Sequence, residues 1–141
     1  MQRLHLHLRH EAFADISDRS ARQVLKSLSK AVRAAQLSDA RDFIFSLDLD
    51  YSLLRSMEDH LTSEAERIPA YYLERLEKGS LILWAVVSGG PLAFLAKIGL
   101  DRIIDDEDLR RDLLEKIQRH LDTWHHGLLP RILGELRGRG L

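Results

Sequence analysis

His5 and His7 stand two residues apart in the segment Leu4-His5-Leu6-His7-Leu8, and Asp48 and Asp50 stand two apart after Phe43-Ile44-Phe45-Ser46-Leu47. Residues two apart on a strand project from one face, so each pair would present its polar groups side by side. Brought onto neighbouring strands, the two imidazoles and two carboxylates would suit zinc, manganese or iron. They could equally set a general base beside a polarised water, as a metal-dependent hydrolase or nuclease requires. The competing reading, which the pattern favours, makes them the solvent faces of two amphipathic strands, with Arg3 and Arg9 keeping the edge soluble.

The remaining constellations carry less. Ser88-Gly89-Gly90-Pro91 lies between an apolar run and a helix start, where backbone N–H groups at Gly89 and Gly90 could hold a phosphate or carboxylate. The segment lacks the Gly-rich fingerprint and the Lys-Ser/Thr of a phosphate loop, so an ordinary turn is the default. His125 and His126 are consecutive, about 100° apart on a helix, and cannot readily share a metal. His120 and Trp124 align as i and i+4 on a helix flank, while His10 and His60 are isolated. No serine has the setting of a nucleophile elbow, and no acidic pair shows more than surface spacing. The residues name no catalytic set and imply no cofactor.

A chain of 141 residues, with 45% hydrophobic and 30% charged residues, has the length and balance of one globular domain. Lys+Arg 21 against Asp+Glu 22 leaves a net charge of -1, which argues against nucleic acid as a partner. Basic residues interleaved with aromatics are also missing, and Arg131, Arg137 and Arg139 form only a small basic end. With no cysteine, disulfides, thiol catalysis and iron-sulfur ligation are excluded, which suits a reducing, cytoplasmic setting. Met1 to His10 alternates in polarity and does not read as a signal peptide. The rival to a cytoplasmic protein is a membrane-associated effector inserting residues 79–98, because Gly79 to Ala96 is uncharged between Lys78 and Lys97. Against it, Gly89-Gly90-Pro91 sits near the middle of that span.

These residues need elements to position them. Arg3 to Arg9 alternates with period two and predicts a strand. Asp15, Ser17 and Asp18 offer caps to a helix through Ala21, Val24, Leu28, Ala31, Val32 and Ala35. Phe43, Phe45, Leu47 and Leu49 alternate again and predict a second strand, followed by a helix over Ser52 to Arg67. Residues 71–78 fit either a helix ending at Gly79 or, preferably, one arm of a hairpin turning at Lys78-Gly79. Leu81 to Val87 reads as a strand buried on both faces, and Pro91 opens a helix reaching Ile104. Asp105 to Asp108 starts another helix through Leu109, Leu113, Ile117, Leu121 and Trp124, interrupted at Gly127 and Pro130. A last helix, Arg131 to Arg137, follows. The expected architecture is α+β: a small ferredoxin-like sandwich of about four strands over residues 1–104. Helices over 105–137 pack on the same domain, and 138–141 form a frayed tail.

Leu4-His5-Leu6-His7-Leu8, the Val24 to Ala35 helix, and Leu73-Glu74-Arg75-Leu76-Glu77-Lys78-Gly79-Ser80-Leu81-Ile82-Leu83 running into the Pro91 helix resemble the α+β adaptor domains of bacterial conflict systems. Those domains are similar to the N-terminal domain of the receptor-associated death-domain adaptor. Ser52 to Ile68 departs from that pattern as an insertion, and the last helices lie outside it. The resemblance implies a non-enzymatic module, possessing no catalytic residues, that recruits partners or self-assembles in bacterial defence. The apolar positions Leu128, Leu129, Ile132, Leu133 and Leu136 point to the same class independently. A terminal helix this apolar must bury its face against the domain, a protein partner or a second copy in a symmetric dimer.

Overall fold

The computed structural model of the chain describes residues 4–9, 18–77, 82–87 and 89–139. Strand β1 (Leu4–Arg9) precedes helices α1 (Asp18–Phe45) and α2 (Tyr51–Ala65). Strands β2 (Tyr72–Glu77) and β3 (Ile82–Val87) follow, then a short helix α3 (Gly90–Phe94), a π turn (Leu95–Gly99), helix α4 (Leu100–Ile103) and the long helix α5 (Glu107–Gly138). The expected caps Asp15 and Ser17, the hairpin turn at Lys78-Gly79, Ser88, and residues 140–141 of the tail lie outside the described residues.

The apolar spacing of α1 is helical throughout: Leu28, Ala31, Val32, Ala35, Ala40 and Ile44 are all buried on one stripe. That stripe runs through residues expected to be a strand. Ile44 is wholly buried while Phe45 is 42% exposed, the reverse of an alternation that hides Phe43 and Phe45 on one face. The alternation does not override a helix whose core stripe has already run for about four turns, because extending an existing helix is far easier than starting a new element, and α1 takes in Phe43 and Phe45. Residues 46–50, with Leu47 and Leu49, become the connection into α2, whose Leu54, Met57 and Leu61 face the same core.

The expected α+β, ferredoxin-like sandwich is therefore corrected to a mostly helical fold carrying a small sheet. The sheet has three antiparallel strands in the order β1-β3-β2. A sandwich needs helices laid across the sheet as a second layer. Here the strands pack mainly on one another, and the core is built between helices. In register, Leu4, Leu6 and Leu8 stand opposite Val87, Ala85 and Leu83. The hairpin reading of residues 71–78 holds: β2 pairs antiparallel with β3, with an irregularity between Leu73 and Arg75.

Of the segment 79–98 expected to insert, the described residues 82–87 form the central strand and 90–98 belong to the α3–π run. Among the described residues no helix is long and apolar enough to cross a membrane.

Helix α5 begins where the acidic cluster indicates, with the Asp106 side chain accepting from the Asp108 and Leu109 N–H groups at 3.0 and 3.3 Å. It then continues past Gly127 and contains Pro130, so the expected break is also corrected. Proline inside a helix costs ~3 kcal/mol. Leu128 and Ile132, on either side of it, are completely buried. At roughly 1.5–3 kcal/mol for each such side chain, their burial offsets that cost. Pro130 itself lies on the exposed face. Helix α5 packs along α1: His120 meets Asp39 and Phe43, Arg131 meets Ser38 and Asp42, and Arg139 lines the same groove as Ser29 and Lys30.

Candidate functional site

The four residues expected to ligate a metal are not on neighbouring strands. His5 and His7 are on β1, which pairs with β3, whereas Asp48 and Asp50 are exposed in the α1–α2 connection. Among the described residues no group of three or more His, Asp or Glu side chains could hold a metal ion. Gly89 and Gly90 are both buried. Gly90 adopts φ 58°, and a Cβ there would lie 2.8 Å from the Gln36 carboxamide carbon. Gln36 is buried and donates to the Ala70 carbonyl at 3.2 Å, tying α1 to the start of the sheet. The short α3, only five residues, is held by this junction.

The polar chemistry that the fold does assemble runs along the α1–α5 seam, invisible to local patterning because its members are about eighty to ninety residues apart. His120 Nε2 lies 2.8 Å from Asp39 Oδ2, and the Phe43 ring stacks on the imidazole at 4.3 Å. About three turns further along α5, Arg131 donates to Ser38 Oγ at 2.6 Å and to Asp42 Oδ2 at 2.7 Å. Each side chain is spent on a neighbour that fixes helix register, and among the described residues no hydroxyl is hydrogen-bonded to the imidazole as a nucleophile would be. The seam is a structural clamp.

His60, given no role by its sequence context, sits in α2 against the π turn. Both its ring nitrogens are buried without a hydrogen-bond partner among the described residues, and the ring stacks on Phe94 at 6.2 Å. A Cβ on Gly99 would lie 2.6 Å from its Cε1. Among helix irregularities the π turn is the rarest, and here it accommodates the imidazole.

The five α5 residues expected at an interface separate into two sets. Leu128, Ile132 and Leu136 belong to the core of the chain itself, whereas Leu129 and Leu133 are 37% and 39% exposed, one turn apart. Asp122, His126, Leu129, Leu133 and Arg137, spaced by four, three, four and four, are all exposed along that face. Asp122 also lines an open groove between α3, the π turn and α5, whose walls include Ala93, Ala96, Leu114 and Leu121 and whose rim carries Lys97. The leucine stripe thus continues an apolar groove.

No protein-family model, curated protein or solved structure matches the chain.

Proposed function

We propose that the chain is a non-enzymatic protein-interaction module that self-associates through the outer face of α5. The observation that carries this reading is the pair Leu129 and Leu133, left open on a helix whose other leucines are committed to the core. A second copy suits the face because its charge is self-complementary. Asp122 lies at one end and Arg137 at the other, so two α5 helices laid antiparallel about a two-fold axis bring each Asp122 to Arg137 of the partner subunit. The axis then falls beside Leu129. If burying a whole leucine contributes roughly 1.5–3 kcal/mol, the exposed two fifths of four leucines contribute about 2–5 kcal/mol. A micromolar dimer needs ~8 kcal/mol, so the groove and the paired charges supply the rest and the dimer is weak.

Light scattering over a wide concentration range tests the proposal. The mass should rise from monomer towards dimer in the native chain and stay at monomer when Leu129 and Leu133 are both replaced by Glu. Since both side chains are already partly in water, the double variant should keep its fold. A native chain that is monomeric at every concentration would remove the reading.

A further inference from the structure

A second groove, of about 550 Å³, lies at the other side of α5. Its walls come from three parts of the fold. α1 supplies Ser29, Lys30 and Arg33, the α2–β2 connection supplies Glu66, Ile68 and Pro69, and the end of α5 supplies Arg139. The apolar floor is Ala34 and Leu37. Three cations, Lys30, Arg33 and Arg139, face one carboxylate, Glu66, which leaves two positive charges uncompensated by the lining itself.

Arg33 is the most constrained of them. One terminal nitrogen, Nη2, donates to the Ile68 carbonyl, and the other, Nη1, is buried with no acceptor among the described residues. It makes no ion pair among the described residues, and burial pushes the guanidinium below its ordinary pKa. A partly desolvated cation without a counter-charge is costly, and an anion within about 4–6 Å offsets that cost by favouring the charged form. Lys30 is exposed and carries no ion pair among the described residues, and Arg139 reaches only Glu135, at 3.8 Å across an exposed pair that contributes little.

We infer that this groove binds a small phosphate monoester, its dianionic head held among Lys30, Arg33 and Arg139 and its organic part resting on Leu37 and Pro69. The charge count selects the ligand class: a phosphate dianion cancels the excess of two, whereas a monocarboxylate leaves one positive charge buried beside Ile68. Free phosphate esters and phospholipid headgroups share this chemistry. The inference is independent of self-association, because the leucine stripe contributes nothing to this groove.

The experiment is a titration of the full chain with phenyl phosphate and, separately, inorganic phosphate, followed by calorimetry at constant ionic strength set with chloride. Phenyl phosphate should bind saturably at one site per chain. Inorganic phosphate should bind more weakly to the same site, because it lacks the organic part. The double variant Lys30→Gln, Arg139→Gln changes only exposed side chains, so its folding is secure. Its affinity for phenyl phosphate should fall by about tenfold or more, ~1.4 kcal/mol at least. Arg33→Lys, if it folds, should show the same loss. Sedimentation with vesicles containing phosphatidic acid separates the two sources. Co-sedimentation that phenyl phosphate competes away would support the site with a lipid headgroup as occupant, and its absence alongside saturable phenyl phosphate binding would support a soluble ester. Unsaturable binding, or equal affinity in native chain and double variant, would overturn the inference.

Discussion

Replacing Gly99 by Ala should destabilise this protein even though the same change ordinarily strengthens a helix. Gly99 closes the π turn, and an added Cβ would sit 2.6 Å from His60 Cε1 and 2.7 Å from Leu95 Cδ1. Both distances are too short for carbon atoms in contact, and Gly99 and Leu95 are buried, so the imidazole or the leucine must move. Removing glycine from a helix interior gains about 0.5–1 kcal/mol. Inserting a methyl into a packed site costs about 1–3 kcal/mol. The net expectation is a loss of about 1–2 kcal/mol. Gly127→Ala is the matched control, because a Cβ there meets nothing within 4 Å, and it should gain about 0.5–1 kcal/mol. Urea denaturation of the two variants reads both signs, and adding His60→Ala to Gly99→Ala should recover part of the loss as a coupling of about 1 kcal/mol. If Gly99→Ala is as stable as the native chain, the reasoning about this contact is refuted.

Other perturbations probe the rest of the structure. Pro130→Ala should stabilise the fold by up to ~3 kcal/mol in denaturant titration, since it restores an N–H inside a continuous helix. A double-mutant cycle on Asp39→Ala and His120→Ala should give a coupling of about 0.5–1.5 kcal/mol, and a coupling near zero would show that the seam does not act as a clamp. Tyr71 donates its hydroxyl to the Leu25 carbonyl at 3.2 Å, and burial raises the phenol above its ordinary value of 10.0. The unfolded chain therefore loses this proton before the folded one does, so the contribution is fully present below pH 10.0 and is lost as pH rises through the folded value. Tyr71→Phe should flatten that part of the stability profile, and an unchanged alkaline slope would contradict it.

Much of the helical core was legible in sequence because its signal is local. The three-and-four spacing of Leu28, Val32 and Ala35, and of Leu113, Ile117 and Leu121, survives as buried stripes. β1 was legible from alternation, and β2 and β3 from a hairpin pattern. What failed was arbitration between overlapping periods. Phe43, Phe45, Leu47 and Leu49 alternate, yet Ala40 and Ile44 keep the helical register of a stripe that begins at Leu28, and the helix extends through Phe45. Pro130 was misread for the same reason, its intrinsic penalty being outweighed by Leu128 and Ile132. Half of the candidate interface was legible. The apolar content of residues 128–136 marked the helix, but which leucines face inward depends on the partner elements. The groove at Arg33 and the seam at His120 were not legible at all, because their residues meet only after α1 and α5 pack.

Sedimentation velocity on charge-exchanged variants tests the proposed self-association most directly. The native chain should shift towards dimer as concentration rises; Asp122→Arg alone and Arg137→Asp alone should each weaken that shift, and the two together should restore it. Rescue by the double exchange is the signature of an antiparallel pair of α5 helices. A native chain that remains monomeric, or a dimer indifferent to all three variants, would contradict the assignment of this face.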